Sequence, residues 1–211
     1  YEAMSGDDLG NYNIAIGYQT LDTDTSSGGS NIAMGYRAMG SGAVSGSNQV
    51  AIGRQALEAL TSGTLNMAIG YQAGFSITDG QGNVAVGYAA VDSAISTNDN
   101  VGLGTYSLTN NVYGSSNVAI GTNALYTSVS DGRSIAIGHG ALKAANQGGT
   151  SAANAYNIGI GHDAGNDITD GADNVLIGGQ AGDKLTTGDG NVAVGKGSMG
   201  TGVAGMDNNT A

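Results

Sequence analysis

Histidine, aspartate and tyrosine are the residues of this 211-residue chain that could take part in chemistry. The chain has two histidines, two glutamates and no cysteine. Catalysis needs several titratable groups that converge on a pocket, and the sequence has no P-loop, His-Glu-x-x-His or Gly-x-Ser-x-Gly motif. The sequence therefore predicts a protein that is not an enzyme and that needs no cofactor.

The two histidines, His139 and His162, each directly follow the glycine of a repeated sequence block. If consecutive blocks stack in register, the two rings lie about 5 Å apart. Metal sites need more ligands than two imidazoles, so the sequence predicts a surface column and no metal site. A metal ion shared by His139 and His162 is the alternative.

Aspartate accounts for 15 residues, which raises the question of calcium. Calcium-binding β-rolls repeat Gly-Gly-x-Gly-x-Asp every nine residues or so, and this chain does not. Asp79 and Asp170 lie eight residues before the glycine of their block, whereas Asp99 and Asp173 lie five before it. A ladder of calcium ligands would keep one position, so these aspartates are interpreted as turn formers and solvated charge.

Composition narrows the class of protein further. Glycine supplies 39 residues, proline and cysteine are absent, and the formal net charge is −11. Collagen needs abundant proline and a disulfide scaffold needs cysteine. The negative charge argues against nucleic acid or an anionic membrane as the partner. No apolar run approaches the roughly 20 residues of a membrane span, so no membrane insertion is expected.

A block of the type Asn-Ile-Ala-Ile-Gly occurs eleven times. Its glycines are Gly17, Gly35, Gly53, Gly70, Gly87, Gly104, Gly121, Gly138, Gly161, Gly178 and Gly195. They are 17 or 18 residues apart, except for one step of 23. Such a period indicates stacked structural repeats. We predict one repeat domain over residues 1–211, cut from a longer protein at both ends, with a loop insertion near 144–155.

Each block alternates in a way that predicts a β-strand. The residues before and after its central position are large and aliphatic in every copy, and the central one is Ala or Gly except at Leu176. Period-two alternation with β-branched residues is typical of strands. The block glycines are predicted to be structural turn residues, because only glycine freely adopts positive φ. A second short strand is expected after each glycine, which gives one coil of a parallel β-solenoid of about 12 coils.

Both faces of the predicted strand are apolar, one bulky and one small. One face can line the roll, and the other leaves an apolar stripe along it that soluble monomers rarely expose. The sequence does not decide which face points inward. It predicts self-association, with small Ala and Gly residues allowing close approach, and three chains around the rod axis would close the surface.

The repeated Asn-Val-Ala-Ile-Gly blocks, followed two residues later by Ala or Ser, resemble the head repeats of trimeric autotransporter adhesins, the YadA-like head family. The resemblance covers essentially the whole chain and implies a left-handed parallel β-roll assembled as a homotrimeric rod on the bacterial surface. The coils here are longer than is usual in that family, and the Ser that often precedes Val is absent. Segments such as Ala-Ile-Gly-Tyr-Gln-Ala are more similar to related repeats of bacteriophage tail fibres.

Tyrosine recurs directly after the block glycine in the first half of the chain, at Tyr1, Tyr18, Tyr36, Tyr71 and Tyr88. An exposed row of aromatic rings could stack on sugar rings of a host-surface glycan. Tyrosine rows also stabilise sheets by stacking on one another, and this structural interpretation is favoured. We refer to this position as the ring column.

The sequence thus predicts a non-enzymatic, extracellular fibre segment. Its setting is a bacteriophage tail fibre that attaches the virion to its host cell, through a glycan or protein receptor. The head of a bacterial autotransporter adhesin is the first alternative. An ice-binding solenoid is the alternative from another class, but threonine lies mainly in irregular loops and is not aligned in one outward column.

Overall fold

The fold is described from a computed structural model for residues 3–4, 10–22, 27–40, 44–146, 153–200 and 205–211. Tyr1 of the ring column and residues 147–152 of the expected insertion lie outside these ranges. The described residues form β-strands and turns with no helix. The strands are β1 Ile14–Ile16, β2 Ile32–Met34, β3 Val50–Ile52, β4 Met67–Ile69, β5 Val84–Val86, β6 Val101–Leu103, β7 Val118–Ile120, β8 Asp131–Gly132, β9 Ile135–Ile137, β10 Ala153–Asn154, β11 Ile158–Ile160, β12 Val175–Ile177 and β13 Val192–Val194.

Eleven of these strands, one from each sequence block, form a single parallel sheet in chain order. Each strand pairs with the next without offset, so that Val101 is opposite Val118 and Leu103 is opposite Ile120. The predicted parallel β-solenoid is therefore confirmed, with about ten turns between its eleven strands rather than twelve complete coils. A bridge from Thr210 to Val192 marks the start of a further winding. The separate strands β8 and β10 pair with each other beside the insertion.

The small face of the strand points into the roll. Central residues such as Ala119 and Ala136 are fully buried, whereas the flanking aliphatic residues are half-buried or exposed. The expectation that small residues could line the contact between chains was wrong. The interior is too narrow for a bulky residue at every strand position, because large side chains from elsewhere in each coil already fill it.

The predicted second strand of each coil was also wrong. After each block glycine the chain forms turns in which the second and fourth residues have positive φ, as at Gln55 (60°) and Leu57 (49°). These residues still bond from coil to coil: Gln55 donates its N–H to the Tyr36 carbonyl at 2.8 Å, and Leu57 donates to Ala73 at 3.1 Å. Inter-coil hydrogen bonds offset the roughly 1–2 kcal/mol that left-handed geometry costs an ordinary residue.

The eleven block glycines have φ between 118° and 137°. They also stack closely on one another, since a Cβ at Gly121 would lie 2.6 Å from the carbonyl oxygen of Gly138. At the ten block glycines from Gly17 to Gly178, both the backbone conformation and the packing against the next coil therefore require glycine, whereas at Gly195 only the conformation does.

A ladder of buried amides runs inside the roll, beside the strands. The Nδ2 of Asn191 donates to Oδ1 of Asn174 at 3.0 Å, and Asn174 donates in the same way to Asn157 at 3.1 Å. The backbone N–H of Asn191 also donates to Asn174 Oδ1 at 2.9 Å, and Asn174 Nδ2 donates to the carbonyl of Gly188 at 2.8 Å. The ladder satisfies polar groups that burial would otherwise leave unpaired. The residue directly before each asparagine of the ladder has positive φ, as Asp173 does before Asn174.

The rest of the core consists of alanine columns and large aliphatic side chains supplied from two positions of the coil. The fourth residue after the block glycine usually supplies one, as Leu125 and Leu142 do. Where that residue is Gly, the residue three positions later is a buried aliphatic one. These buried residues are Ile77, Ile168 and Leu185. A Cβ at Gly74 would meet Ile77, and one at Gly165 would meet Ile168.

Candidate functional site

A band of aliphatic side chains lies along the outside of the large sheet, and we call it the aliphatic seam. It consists of the first and third residues of the eleven strands of the large sheet, and all of them are Ile, Val, Leu or Met. Because the small central residue points inward, period-two geometry turns both flanking residues outward. Ile16 is 56% exposed, Met67 40% and Val194 59%. At about 4.8 Å per coil the seam is roughly 50 Å long.

The ring column lies beside the seam, because its residues come two positions after the end of each strand of the large sheet. Tyr18 stacks on Tyr36 with ring centroids 5.7 Å apart, and Tyr71 stacks on Tyr88 at 5.4 Å. The Arg54 guanidinium lies between these pairs, 5.4 Å from the centroids of both Tyr36 and Tyr71. Register between coils therefore joins the four tyrosines and the arginine into one continuous stack.

This stacking determines what the column can offer a ligand. Each interior ring has a neighbour at its faces, so the column presents ring edges and hydroxyl groups to solvent. Tyr36 and Tyr71 are 43% and 40% exposed. A sugar that stacks on aromatic faces would have to separate these rings, whereas hydrogen bonds to their hydroxyl groups need no such change. Glycan binding by Tyr18, Tyr36, Tyr71 and Tyr88 remains a prediction.

Further along the same column, the two histidines meet. The rings of His139 and His162 stack with centroids 5.2 Å apart and planes 13° apart. The carboxylate of Asp163 faces both of them, with Oδ2 3.0 Å from His162 Nδ1 and Oδ1 3.9 Å from His139 Nδ1. One ligand atom from each residue can be chosen so that all three lie within 4.8 Å of one another. Among the described residues, no other group of three His, Asp or Glu side chains is so placed.

Two neighbours allow Asp163 to reach this position. Gly140 occupies the equivalent place on the preceding coil, and a Cβ there would overlap Asp163 Oδ1. Asn166 donates its Nδ2 to Asp163 Oδ1 and to the carbonyl of Gly140, both at 3.1 Å. Asp163 directly follows His162 but was not predicted as a ligand, because the direction of its carboxylate depends on Gly140, one coil away.

Several aspartates of the chain take part in the backbone turns between coils. Asp189 accepts a hydrogen bond from the backbone N–H of Ala172 at 2.7 Å, and Asp207 accepts one from Asp189 at 2.9 Å. Asp99 and Asp173 hold positions of positive φ. Asp92 differs from these, because burial raises its pKa to about 6. Its Oδ1 is buried and has no hydrogen-bond partner among the described residues.

Threonines share one position on two pairs of neighbouring coils. The N–H of Thr61 donates to the Thr78 carbonyl at 2.8 Å, and Thr169 donates to Thr186 at 2.8 Å. Each lies eight residues after its block glycine. The same position between these pairs holds Ile95, Val112, Val129 and Asn146. The flat, regular threonine array of an ice-binding face is thus interrupted for four coils.

Comparison with known proteins assigns no family to the chain: no protein-family model matches it, and no curated protein sequence does so. Within the described ranges, no helix is long and apolar enough to cross a membrane.

Proposed function

We propose that the chain is a non-enzymatic, rigid fibre segment that assembles as a homotrimer through the aliphatic seam. The observation that carries this proposal is the outward direction of both bulky strand columns in all eleven coils. A seam about 50 Å long and 10 Å wide exposes roughly 500 Å² of apolar surface, at the upper end of what monomers tolerate.

Sister chains fit this seam better than an unrelated partner does. Every strand of the large sheet is in register with the next, so parallel copies around one axis can keep each coil level with its equivalents. Three chains then close the seam completely, because each copy covers the apolar surface of its neighbours. The resemblance to YadA-like heads supports the same assembly and a left-handed winding.

The proposed setting is extracellular, in a bacteriophage tail fibre that attaches the virion to a host cell. The net charge of −11 supports a protein or glycan receptor rather than nucleic acid or a membrane. The coil length and the Gly-Tyr-Gln-Ala style of the repeats favour the fibre over the autotransporter head. The flanking sequence of the full-length protein discriminates the two, since the adhesin family implies a C-terminal membrane anchor and a fibre implies a virion-attachment domain.

The assembly is tested by measuring mass in solution with light scattering coupled to size exclusion. We expect three times the chain mass of 20.7 kDa at micromolar concentration. Ile69→Asp places a charge in the seam and should yield monomers, whereas Asn98→Asp adds the same charge to an exposed polar turn and should leave the trimer intact. Circular dichroism of both variants checks that the roll is retained. A monomeric wild-type chain, or a trimeric Ile69→Asp chain, contradicts the proposal.

A further inference from the structure

We propose that His139, His162 and Asp163 form a binding site for a divalent transition-metal ion, with Zn²⁺ as the best match. This inference does not depend on the proposed function. Two imidazole nitrogens and one carboxylate oxygen are a donor set that zinc accepts, with water in the remaining position. Both histidine side chains are more than half exposed, which leaves room for that water and a path of entry.

The geometry needs little change to hold the ion. With metal–ligand bonds of about 2.0–2.2 Å, ligand atoms around one zinc lie roughly 3–4 Å apart. Asp163 Oδ2 lies 3.0 Å from His162 Nδ1, Asp163 Oδ1 lies 3.9 Å from His139 Nδ1, and one ligand atom from each of the three residues can be chosen so that all lie within 4.8 Å of one another. Exposed histidine rings can close the remaining distance by small rotations about their side-chain bonds.

The carboxylate is held in place by residues that bind no metal themselves. Asn166 fixes Asp163 Oδ1 by a hydrogen bond, as outer-sphere partners of metal ligands do. Gly140 leaves the space into which the carboxylate extends. Electrostatics favour the ion as well, because the Asp163 carboxylate lies on a chain whose net charge is −11.

The location indicates what the ion would do. His139 and His162 lie on the two coils joined by the long step of 23 residues. The amide ladder is altered at the same junction, where Ser134 stands in place of asparagine and accepts from the Asn157 N–H at 3.3 Å. A metal ion bridging the two coils would therefore act as a clip across the junction with the weakest internal ladder.

Zn²⁺ titration by calorimetry, in an excess of Mg²⁺ that occupies unspecific carboxylate sites, tests the proposal. We expect one saturable site per chain and a zinc-dependent rise in the thermal midpoint. Visible absorption of bound Co²⁺ reports directly on nitrogen and oxygen ligation. His162→Tyr keeps an aromatic ring in the column but removes the nitrogen, and should lower zinc affinity by tenfold or more.

Two further variants separate the site from general negative charge. Gly140→Ala keeps all three ligands but displaces the carboxylate, so affinity should fall about 10–100-fold, as it does for other changes around metal ligands. Asp79→Asn removes one charge from an exposed turn and should leave zinc binding unchanged. Lack of saturable uptake by the wild-type chain overturns the proposal, and so does uptake that His162→Tyr leaves unaltered or that Asp79→Asn reduces equally.

Discussion

The side chain of Leu176 fills the space that Gly182 leaves open. A Cβ at Gly182 would lie 2.7 Å from Leu176 Cδ2, and its three nearest atoms would all belong to Leu176. Leu176 is the one central strand residue of the eleven that is neither Ala nor Gly, and it is fully buried. In this coil the large side chain comes from the strand and the small residue from the fourth position after the block glycine. Other coils have the reverse arrangement, as with Ala119 and Leu125.

This relationship predicts strong coupling between the two residues. Gly182→Ala should lower the free energy of unfolding by about 1–3 kcal/mol through overpacking. Leu176→Ala should lower it by about 2–5 kcal/mol through the cavity it leaves. In the Leu176→Ala background the added methyl group enters that cavity, so the overpacking part of the Gly182→Ala penalty should disappear and only the cost of left-handed backbone, about 1–2 kcal/mol, should remain. Positive φ does not prevent this, since Leu57 has φ 49° at the same position of its coil. Urea denaturation of the four proteins measures the coupling, and additive losses would contradict it.

The amide ladder predicts a large effect for a single truncation. Asn174→Ala removes the acceptor of two Asn191 donors and the donor to Gly188. Each buried group left without a partner costs about 1–3 kcal/mol, so we expect a loss of 3 kcal/mol or more in the free energy of unfolding. Asn98→Ala is the matched control, because Asn98 accepts from the Gln81 N–H at an exposed turn where water can replace it. Equal losses in urea denaturation for the two variants would argue against the ladder.

Substitution of two block glycines distinguishes the effect of backbone conformation on stability from the effect of packing between coils. Gly121 and Gly195 have φ of 127° and 118°, yet only a Cβ at Gly121 would meet the next coil. Gly195→Ala should cost about 1–3 kcal/mol of backbone strain in the 211-residue chain. Gly121→Ala adds overlap with the backbone of Gly138 and should destabilise the roll considerably more. Thermal denaturation followed by circular dichroism compares the two, and similar midpoints would show that packing between coils contributes little.

Asp92 predicts a pH dependence of stability. Burial raises its pKa from 3.8 to about 6 in the folded chain. The folded protein therefore binds this proton more tightly than the unfolded chain does, and stability falls as pH rises from about 4 to about 6. The loss is about 1 kcal/mol after allowance for solvent screening of this partly exposed group. Asp92→Asn should remove this fall, whereas Asp79→Asn should retain it. Urea denaturation at pH 4, 5 and 7 is the measurement, and identical pH profiles for wild type and Asp92→Asn would contradict the prediction.

Much of the fold could be predicted from the sequence, because period-two alternation and a fixed step act on every repeat alike. The eleven strands of the large sheet lie at the central residues of the sequence blocks. The direction of the strand faces could not be predicted, since both are apolar, and it depends on what else fills the interior. The second segment was misassigned because Leu57 and its equivalents have positive φ, which the chemistry of leucine does not indicate.

The candidate metal site shows a different limit. The spacing of His139 and His162 predicted that their rings would stack, and they do at 5.2 Å. The contribution of Asp163 depends on a glycine one coil away, at Gly140. Gly140 and Asp163 lie on different coils, at a position next to the ring column and not in it. The alignment of the ring column alone therefore does not predict that Asp163 reaches the two histidines.

The zero offset between successive strands has a consequence for how such a chain can change length. Duplication or deletion of a whole 17-residue unit adds or removes about 4.8 Å of axial extent. The hydrogen-bond pattern at each new junction is the same as at the old ones. Gain or loss of whole repeats in the gene can therefore change the length of the roll in fixed steps, while its cross-section and the residue types on its surface stay the same.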